Sequence, residues 1–316
     1  MQHRTRHVVI GALALMILSL PAAASELMLG FHNLAPLDEA TDGIYEGWAI
    51  IDGLPVSTGV FNVNEMGQTV MPGTGDLITS FSVAAAIGLG SDIKITLEPV
   101  GDSDPAPSGL VFLTGAIEAN TIPLHAAVPG LTELASAAGS YILATPSDNA
   151  VDDMNNDQGI WFLTLPGPLA GLTGLPDLGS HWTYEGWVVD VSGMTPMPYS
   201  TGTFAGGDGF DSDQAGCNGG GPPFPGQDFT AFHCGPVLDL DEGCFAAVIT
   251  IEPVPDNSPA PFAFKPLAGM IPTDAQQNGG QLGNQTEATF PTGTAVIDDP
   301  LPTEASSWSD LKAAYR

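Results

Sequence analysis

A chain of 316 residues with 36 acidic and only six basic side chains carries a formal net charge of −30 at pH 7. Such a surface repels nucleic-acid phosphates and anionic lipid headgroups, which argues against both as partners. Strong acidity also accompanies disorder, but 43% of the residues are hydrophobic and apolar segments recur at regular intervals, so folded domains are expected.

In chain order the first feature is an export sequence. Arg4 and Arg6 precede an uninterrupted apolar run from Val8 to Leu20, closed by Pro21, and Ala22-Ala23-Ala24 offers small side chains to a signal peptidase. The run is shorter than the roughly 20 residues of a membrane-spanning helix, so residues 1–24 read as a signal peptide and not as an anchor. Its removal leaves Lys94, Lys265, Lys312 and Arg316 as the only basic residues. Most carboxylates must then be solvated, hydrogen-bonded to backbone, or bound to a cation. The expected location is extracytoplasmic, secreted or periplasmic, with no membrane span after cleavage.

Short strands follow. Leu27 to Asn33 opens the mature chain, and Tyr45 to Ile51, Ser57 to Val63, Thr79 to Val83, Ile93 to Leu97 and Leu110 to Leu113 are runs separated by Gly, Pro, Asp and Ser. Their length and spacing predict antiparallel pairing and not a βαβ sheet. Leu131 to Ala138 is the one helix candidate. Ser140 to Thr145 reads either as the last strand of a first unit or the first strand of a second. Ile160 to Leu165 and Tyr184 to Val191 begin the pattern again, and the tail beyond Pro300 reads as mostly disordered.

The pattern is a duplication. Tyr45-Glu46-Gly47-Trp48 returns as Tyr184-Glu185-Gly186-Trp187, and Ser57-Thr58-Gly59-Val60-Phe61 as Ser200-Thr201-Gly202-Thr203-Phe204. Ile95 to Ile117 matches Ile249 to Ile271 without gaps, with 12 of 23 positions identical. The extra residues of the second copy fall between the blocks, where surface loops tolerate them. Pro99 and Pro253 would end the Ile-Thr-x-Glu strands or confine them to an edge.

These blocks resemble the extracytoplasmic C-terminal domain of anti-sigma-K factors. The carriers are Tyr45…Trp48, Gly59-Val60-Phe61 and Thr96-Leu97-Glu98-Pro99, and again Tyr184…Trp187, Gly202-Thr203-Phe204 and Thr250-Ile251-Glu252-Pro253. The resemblance implies an all-β fold of two tandem antiparallel immunoglobulin-like β-sandwich domains. Copy one is expected over 25–135 and copy two over 136–300, followed by a C-terminal tail at 301–316. A family anti-sigma factor adds a cytoplasmic sigma-binding domain and a spanning helix, and this chain has neither pattern. Sigma binding is therefore not implied; a loose role in extracytoplasmic interaction or sensing is.

Glu46 and Glu98, with Glu185 and Glu252, have the residue type for paired-carboxylate glycoside hydrolysis. Their recurrence at matching positions favours a structural role, since a Glu before Pro can accept backbone N–H bonds at a strand end. Tyr45 and Trp48, like Tyr184 and Trp187, have opposite strand parity, which puts one of each pair in the core. The motif residues Tyr45, Glu46, Trp48, Glu98, Pro99, Tyr184, Glu185, Trp187, Glu252 and Pro253 are read as structural.

An insert near 206–244 distinguishes copy two. Asp208, Asp211 and Asp213 are candidate calcium ligands in a flexible loop, though their spacing does not fit an EF-hand, and a solvated loop is the plain alternative. Cys217, Cys234 and Cys244 are expected to form one disulfide and leave one thiol, with the pairing open. His233 and the three cysteines have zinc-ligand chemistry but lack the short hooks of structural zinc sites. His32, His125, His181 and His233 belong to no nucleophile–base motif, and no catalytic residue is assigned. The expected function is a non-enzymatic exported binding, sensing or envelope-interaction protein with no cofactor except candidate calcium and an unidentified protein or envelope ligand as partner. The alternatives are a calcium-stabilised surface or adhesive protein and a carboxylate-dependent hydrolase.

Overall fold

The computed structural model describes residues 24–83, 87–147, 155–231, 234–256 and 258–298. The expected signal peptide up to residue 23, His233 and the tail at 301–316 lie outside the described residues. Strands take up 44% of the described residues and helices 7%, so the all-β expectation stands.

The first ten strands are β1 (Ser25–His32), β2 (Ile44–Ile51), β3 (Leu54–Val63), β4 (Thr69–Val70), β5 (Phe81–Val83), β6 (Asp92–Glu98), β7 (Val111–Ala116), β8 (Thr121–Ala126), β9 (Ala138–Leu143) and β10 (Gly159–Trp161). The rest are β11 (Leu163–Thr164), β12 (Leu169–Ala170), β13 (Leu172–Thr173), β14 (Trp182–Asp190), β15 (Met197–Phe204), β16 (Gly226–Asp228), β17 (Phe245–Pro253), β18 (Phe264–Met270), β19 (Gly280–Asn284) and β20 (Thr292–Asp298). Side-chain alternation sets them: Thr121 to Ala126 alternates exposed and buried at every position. Asp52 and Gly53, both at positive φ, make the two-residue turn that joins β2 to β3. In copy two the corresponding turn is the longer loop 191–196, which holds the extra residues before the Ser-Thr-Gly block. The expected helix at Leu131–Ala138 is a single turn, Leu131–Leu134, because Ala138 already begins β9.

Hydrogen bonding makes two nine-stranded antiparallel sheets, β4-β3-β2-β6-β7-β8-β20-β1-β5 and β15-β14-β17-β18-β19-β9-β10-β16, with β13 beside β9 in the second. Superposing the repeated blocks, β2 on β14, β3 on β15, β6 on β17 and β7 on β18, gives the same strand order throughout. It also equates β20 with β9, β1 with β10 and β5 with β16. Ser140 to Thr145 is thereby resolved as the first strand of copy two. Copy one receives its counterpart only from the far end of the chain. There β20 lies between β1 and β8, in register from Glu26 opposite Asp298 to His32 opposite Thr292 on one side and from Val296 opposite Thr121 to Thr292 opposite His125 on the other. Residues 292–298, expected in copy two, thus pair in the first sheet. Backbone pairing asks only for an alternating run of suitable length, so no sequence block marks that partner.

β6 and β17 are interior strands, so Pro99 and Pro253 stand at strand ends and not on edges. Each sheet curls until its two ends approach, β5 beside β3, the neighbour of the end strand β4, and β16 beside β15. The two sheets share one continuous apolar core. At their junction the Phe112 ring of β7 meets Trp182, Phe262 and Phe264 at centroid distances of 5.6, 5.5 and 4.9 Å. Aromatic pairs of this kind add about 0.5–1.5 kcal/mol each beyond the area they bury. Among the described residues no helix is long and apolar enough to cross a membrane.

Candidate functional site

The repeated residues do the same work in each copy. Tyr45 and Tyr184 are fully buried and stack on Phe61 and Phe204, each at 5.7 Å. Their hydroxyls donate to the carbonyls of Ala35 (3.0 Å) and Pro176 (2.9 Å), so neither burial leaves a polar group unpaired. A Cβ at Gly47 or Gly186 would come within 2.3 or 2.2 Å of the Thr58 or Thr201 hydroxyl, which explains the glycine of the Tyr-Glu-Gly-Trp block. Register shifts beside these glycines, and positive φ at Gly59 and Gly202, mark a β-bulge shared by both copies.

The tryptophans point to the opposite face, yet they are buried as well. Trp48 Nε1 donates to Thr96 Oγ1 at 2.8 Å, and Trp187 Nε1 to Thr250 Oγ1 at 2.8 Å. Each threonine hydroxyl donates in turn to a carboxylate, Thr96 to Glu98 and Thr250 to Glu252. Ser57 and Ser200 donate to Glu46 and Glu185. The expected pairing of one tyrosine or tryptophan with the core is therefore exceeded: both members of each pair are buried, one in the apolar core and one in a Trp–Thr–Glu relay.

The copies part at the carboxylates. In copy one Glu98 accepts the backbone N–H of Ser108 on both oxygens, at 3.2 and 3.1 Å, and Glu46 is partly exposed. In copy two position 108 corresponds to Phe262, whose N–H reaches only Oε1 of Glu252, at 2.9 Å. Oε2 of Glu252 and Oε2 of Glu185 are buried with no hydrogen-bond partner. Glu252 is 0% and Glu185 6% exposed. A carboxylate oxygen of each lies within 4.8 Å of the other and of one from Asp256, in the turn after β17.

Burial raises all three acids. It carries Glu252 up to about 8 against the bonds from Thr250 and Phe262, with further upward pushes from Asp256 and Glu185. Glu185 is raised to about 7 by burial, against the Ser200 bond and with help from Asp256 and Asp213. Asp256 is raised by burial, and Glu98 in copy one is raised by burial but held back by Thr96 and Ser108. Lys265 is the nearby cation. Its Nζ donates to the Phe262 carbonyl at 2.7 Å, and burial lowers it while Glu252 pulls it upward.

The insert packs against β15, and its Asp213 lies near enough to Glu185 to push it upward. The place that the Phe81 ring takes against Gly59 in copy one is taken against Gly202 by the carboxylates of Asp211 and Asp213. Ser212 bonds β15 through its N–H to the Thr203 carbonyl (2.8 Å) and through its hydroxyl to the Thr203 N–H (3.0 Å). A small core of Trp161, Leu163, Ala215 and Phe224 holds the insert in place. Asp208, Asp211 and Asp213 do not converge as a three-carboxylate group. Asp211 accepts the Gly226 N–H at 2.8 Å and is raised by burial to about 7, while Asp213 accepts from Gln227 at 3.3 Å. Cys217 is bonded to Cys234 across 6.0 Å between Cα atoms, and Cys244 is a free thiol. A disulfide accords with an oxidising compartment.

His32 and His181 are exposed, and His125 lines a separate depression with Leu131, Asn284 and Phe290. Between the matching ends of β6 and β17 the cleft holds about 30 Å³, bordered by Asp42, Pro99, Pro253 and Asp256. That is room for a water and not for a sugar ring. Comparison with known protein families, with curated proteins and with solved structures found no match.

Proposed function

We propose that the protein is an exported, non-enzymatic binding or sensing protein of the envelope. In this reading its two sheets are tandem immunoglobulin-like sandwiches, docked through Phe112 and built like the extracytoplasmic domain of anti-sigma-K factors, without a sigma-binding domain. One observation carries the non-enzymatic part. The motif acids are tied by hydrogen bonds to their own Thr, Ser or backbone neighbours in both copies, which supports a role in holding the fold.

The test is expression of the full chain with its leader. Recovery outside the cytoplasm, shortened to begin at Ser25 and with Cys217 joined to Cys234, is the expected result. Retention in the cytoplasm at full length would contradict export. Turnover of chromogenic glycosides that disappears in Glu98→Gln or Glu252→Gln would contradict the non-enzymatic reading.

A further inference from the structure

We propose that Glu185, Glu252 and Asp256 form a calcium site in copy two that copy one does not possess. It deepens the reading of an exported binding protein without resting on what that protein binds. Three carboxylates each bring an oxygen within 4.8 Å of the other two, and two of them, Glu185 and Glu252, are buried and carry an oxygen without a hydrogen-bond partner. A buried carboxylate oxygen without a donor is costly, and a cation removes the cost.

The ligand set is all oxygen and anionic, the chemistry of a hard divalent ion and not of zinc or copper. Ligand oxygens on opposite sides of one calcium ion stand about 4.6–5.2 Å apart, and closer when adjacent, whereas magnesium draws them to about 4.2 Å or less. Oxygens within 4.8 Å of one another are close enough for the three groups to share one such ion. Lys265 supplies one positive charge, itself held by the Phe262 carbonyl, against the three negative charges that the acids carry once a cation displaces their protons. Backbone carbonyls and waters would complete the shell, as in other calcium sites that draw six to eight oxygens.

Copy one is an internal control. Asp102 is the counterpart of Asp256 and Glu46 that of Glu185, but Glu98 has both oxygens bonded to Ser108. Two differences set the copies apart: the Phe262 N–H reaches one oxygen of Glu252 where the Ser108 N–H reaches both of Glu98, and Glu185 is buried where Glu46 is partly exposed. Neither adds a ligand. They leave Oε2 of Glu252 and Oε2 of Glu185 without a hydrogen-bond partner.

The experiment uses the mature chain, stripped with a chelator and titrated with calcium chloride at constant ionic strength, read by calorimetry and by melting temperature. The expected result is one saturable site, with binding in the range of extracellular modules, about 10⁻⁴–10⁻³ M or tighter, and a matching rise in Tm. Glu185→Gln and Asp256→Asn should each weaken binding by about tenfold or more while near-ultraviolet circular dichroism shows the fold retained. Glu46→Gln in copy one and Asp208→Asn in the insert should bind like the parent. The proposal is overturned if calcium produces neither heat nor a change in Tm, or if Glu185→Gln and Asp256→Asn both bind at full strength. It is likewise overturned if calcium has no effect and acidification from about pH 8 to about pH 6 alone raises Tm, because a proton then serves where the ion should.

Discussion

Copy one and copy two carry the same Tyr-Glu-Gly-Trp, Ser-Thr-Gly and Thr-x-Glu-Pro residues in the same strand order, yet their carboxylates live in different surroundings. In copy one Glu98 is satisfied by a backbone N–H on both oxygens and Glu46 reaches solvent. In copy two the Phe262 N–H reaches a single oxygen of Glu252, Glu185 is buried, and two oxygens are left without a donor. A motif kept for folding becomes chemistry when its surroundings change. The comparison also has a topological side: copy two holds all its strands in one stretch, while copy one depends on β20 from the far end of the chain.

That dependence gives the largest expected effect. Ending the chain at Pro291 removes β20 and leaves β1 and β8 with open edges. Hydrogen exchange should show first-sheet amides losing most of their protection while β14 and β17 keep more of theirs. Equal loss in both sheets would show that the shared core around Phe112 outweighs strand closure.

Reducing the Cys217–Cys234 bond should act on copy two alone. For a separation of 17 residues the chain-entropy estimate is about 3 kcal/mol. Chemical denaturation with and without reductant measures it, and an unchanged midpoint would show that the insert is held without its staple.

The relays compare the copies directly. Thr96→Val and Thr250→Val each strip a hydroxyl and leave a buried indole N–H unpaired, at about 1–3 kcal/mol. Without calcium the loss should be larger at Thr250, where Glu252 keeps only the Phe262 bond. Equal losses by urea denaturation would place the relays in equivalent surroundings.

The smallest effect is on pH dependence without calcium. Glu252 near 8 and Glu185 near 7 are protonated in the folded chain and ionised in the unfolded one, whose carboxylates titrate near about 4.3. Unfolding therefore releases protons, so their contribution is complete below that value and is lost as pH rises through about 7 to 8. Melting temperature should fall by a few degrees over that window, and Glu252→Gln should flatten the slope more than Glu98→Gln. A melting temperature that does not change with pH there would show both acids already ionised in the folded state.

Much of the fold can be read from the residues. Alternating runs and the Asp52-Gly53 turn mark strands and a hairpin, and the parity of Tyr45 and Trp48 places them on opposite faces. The place of β20 is not legible, because Thr292 to Asp298 is one alternating run among many and its neighbours lie about 170 residues and more upstream. The site is half legible. Glu252 and Asp256 fall inside the matching block, whose counterpart keeps Glu98 and Asp102. That Glu185 meets them depends on register: Glu185 stands opposite Thr250 and Glu252 opposite Thr183, a diagonal that long side chains span. The aspartates of the insert are plain in the sequence, whereas its packing against β15 through Ser212 is not.

A crystal structure of the mature chain grown with calcium tests the central claim most directly. The account predicts one ion at about 2.3–2.6 Å from oxygens of Glu185, Glu252 and Asp256, with none among Glu46, Glu98 and Asp102. Density for calcium in both copies, in neither, or only against Asp208, Asp211 and Asp213 would contradict it.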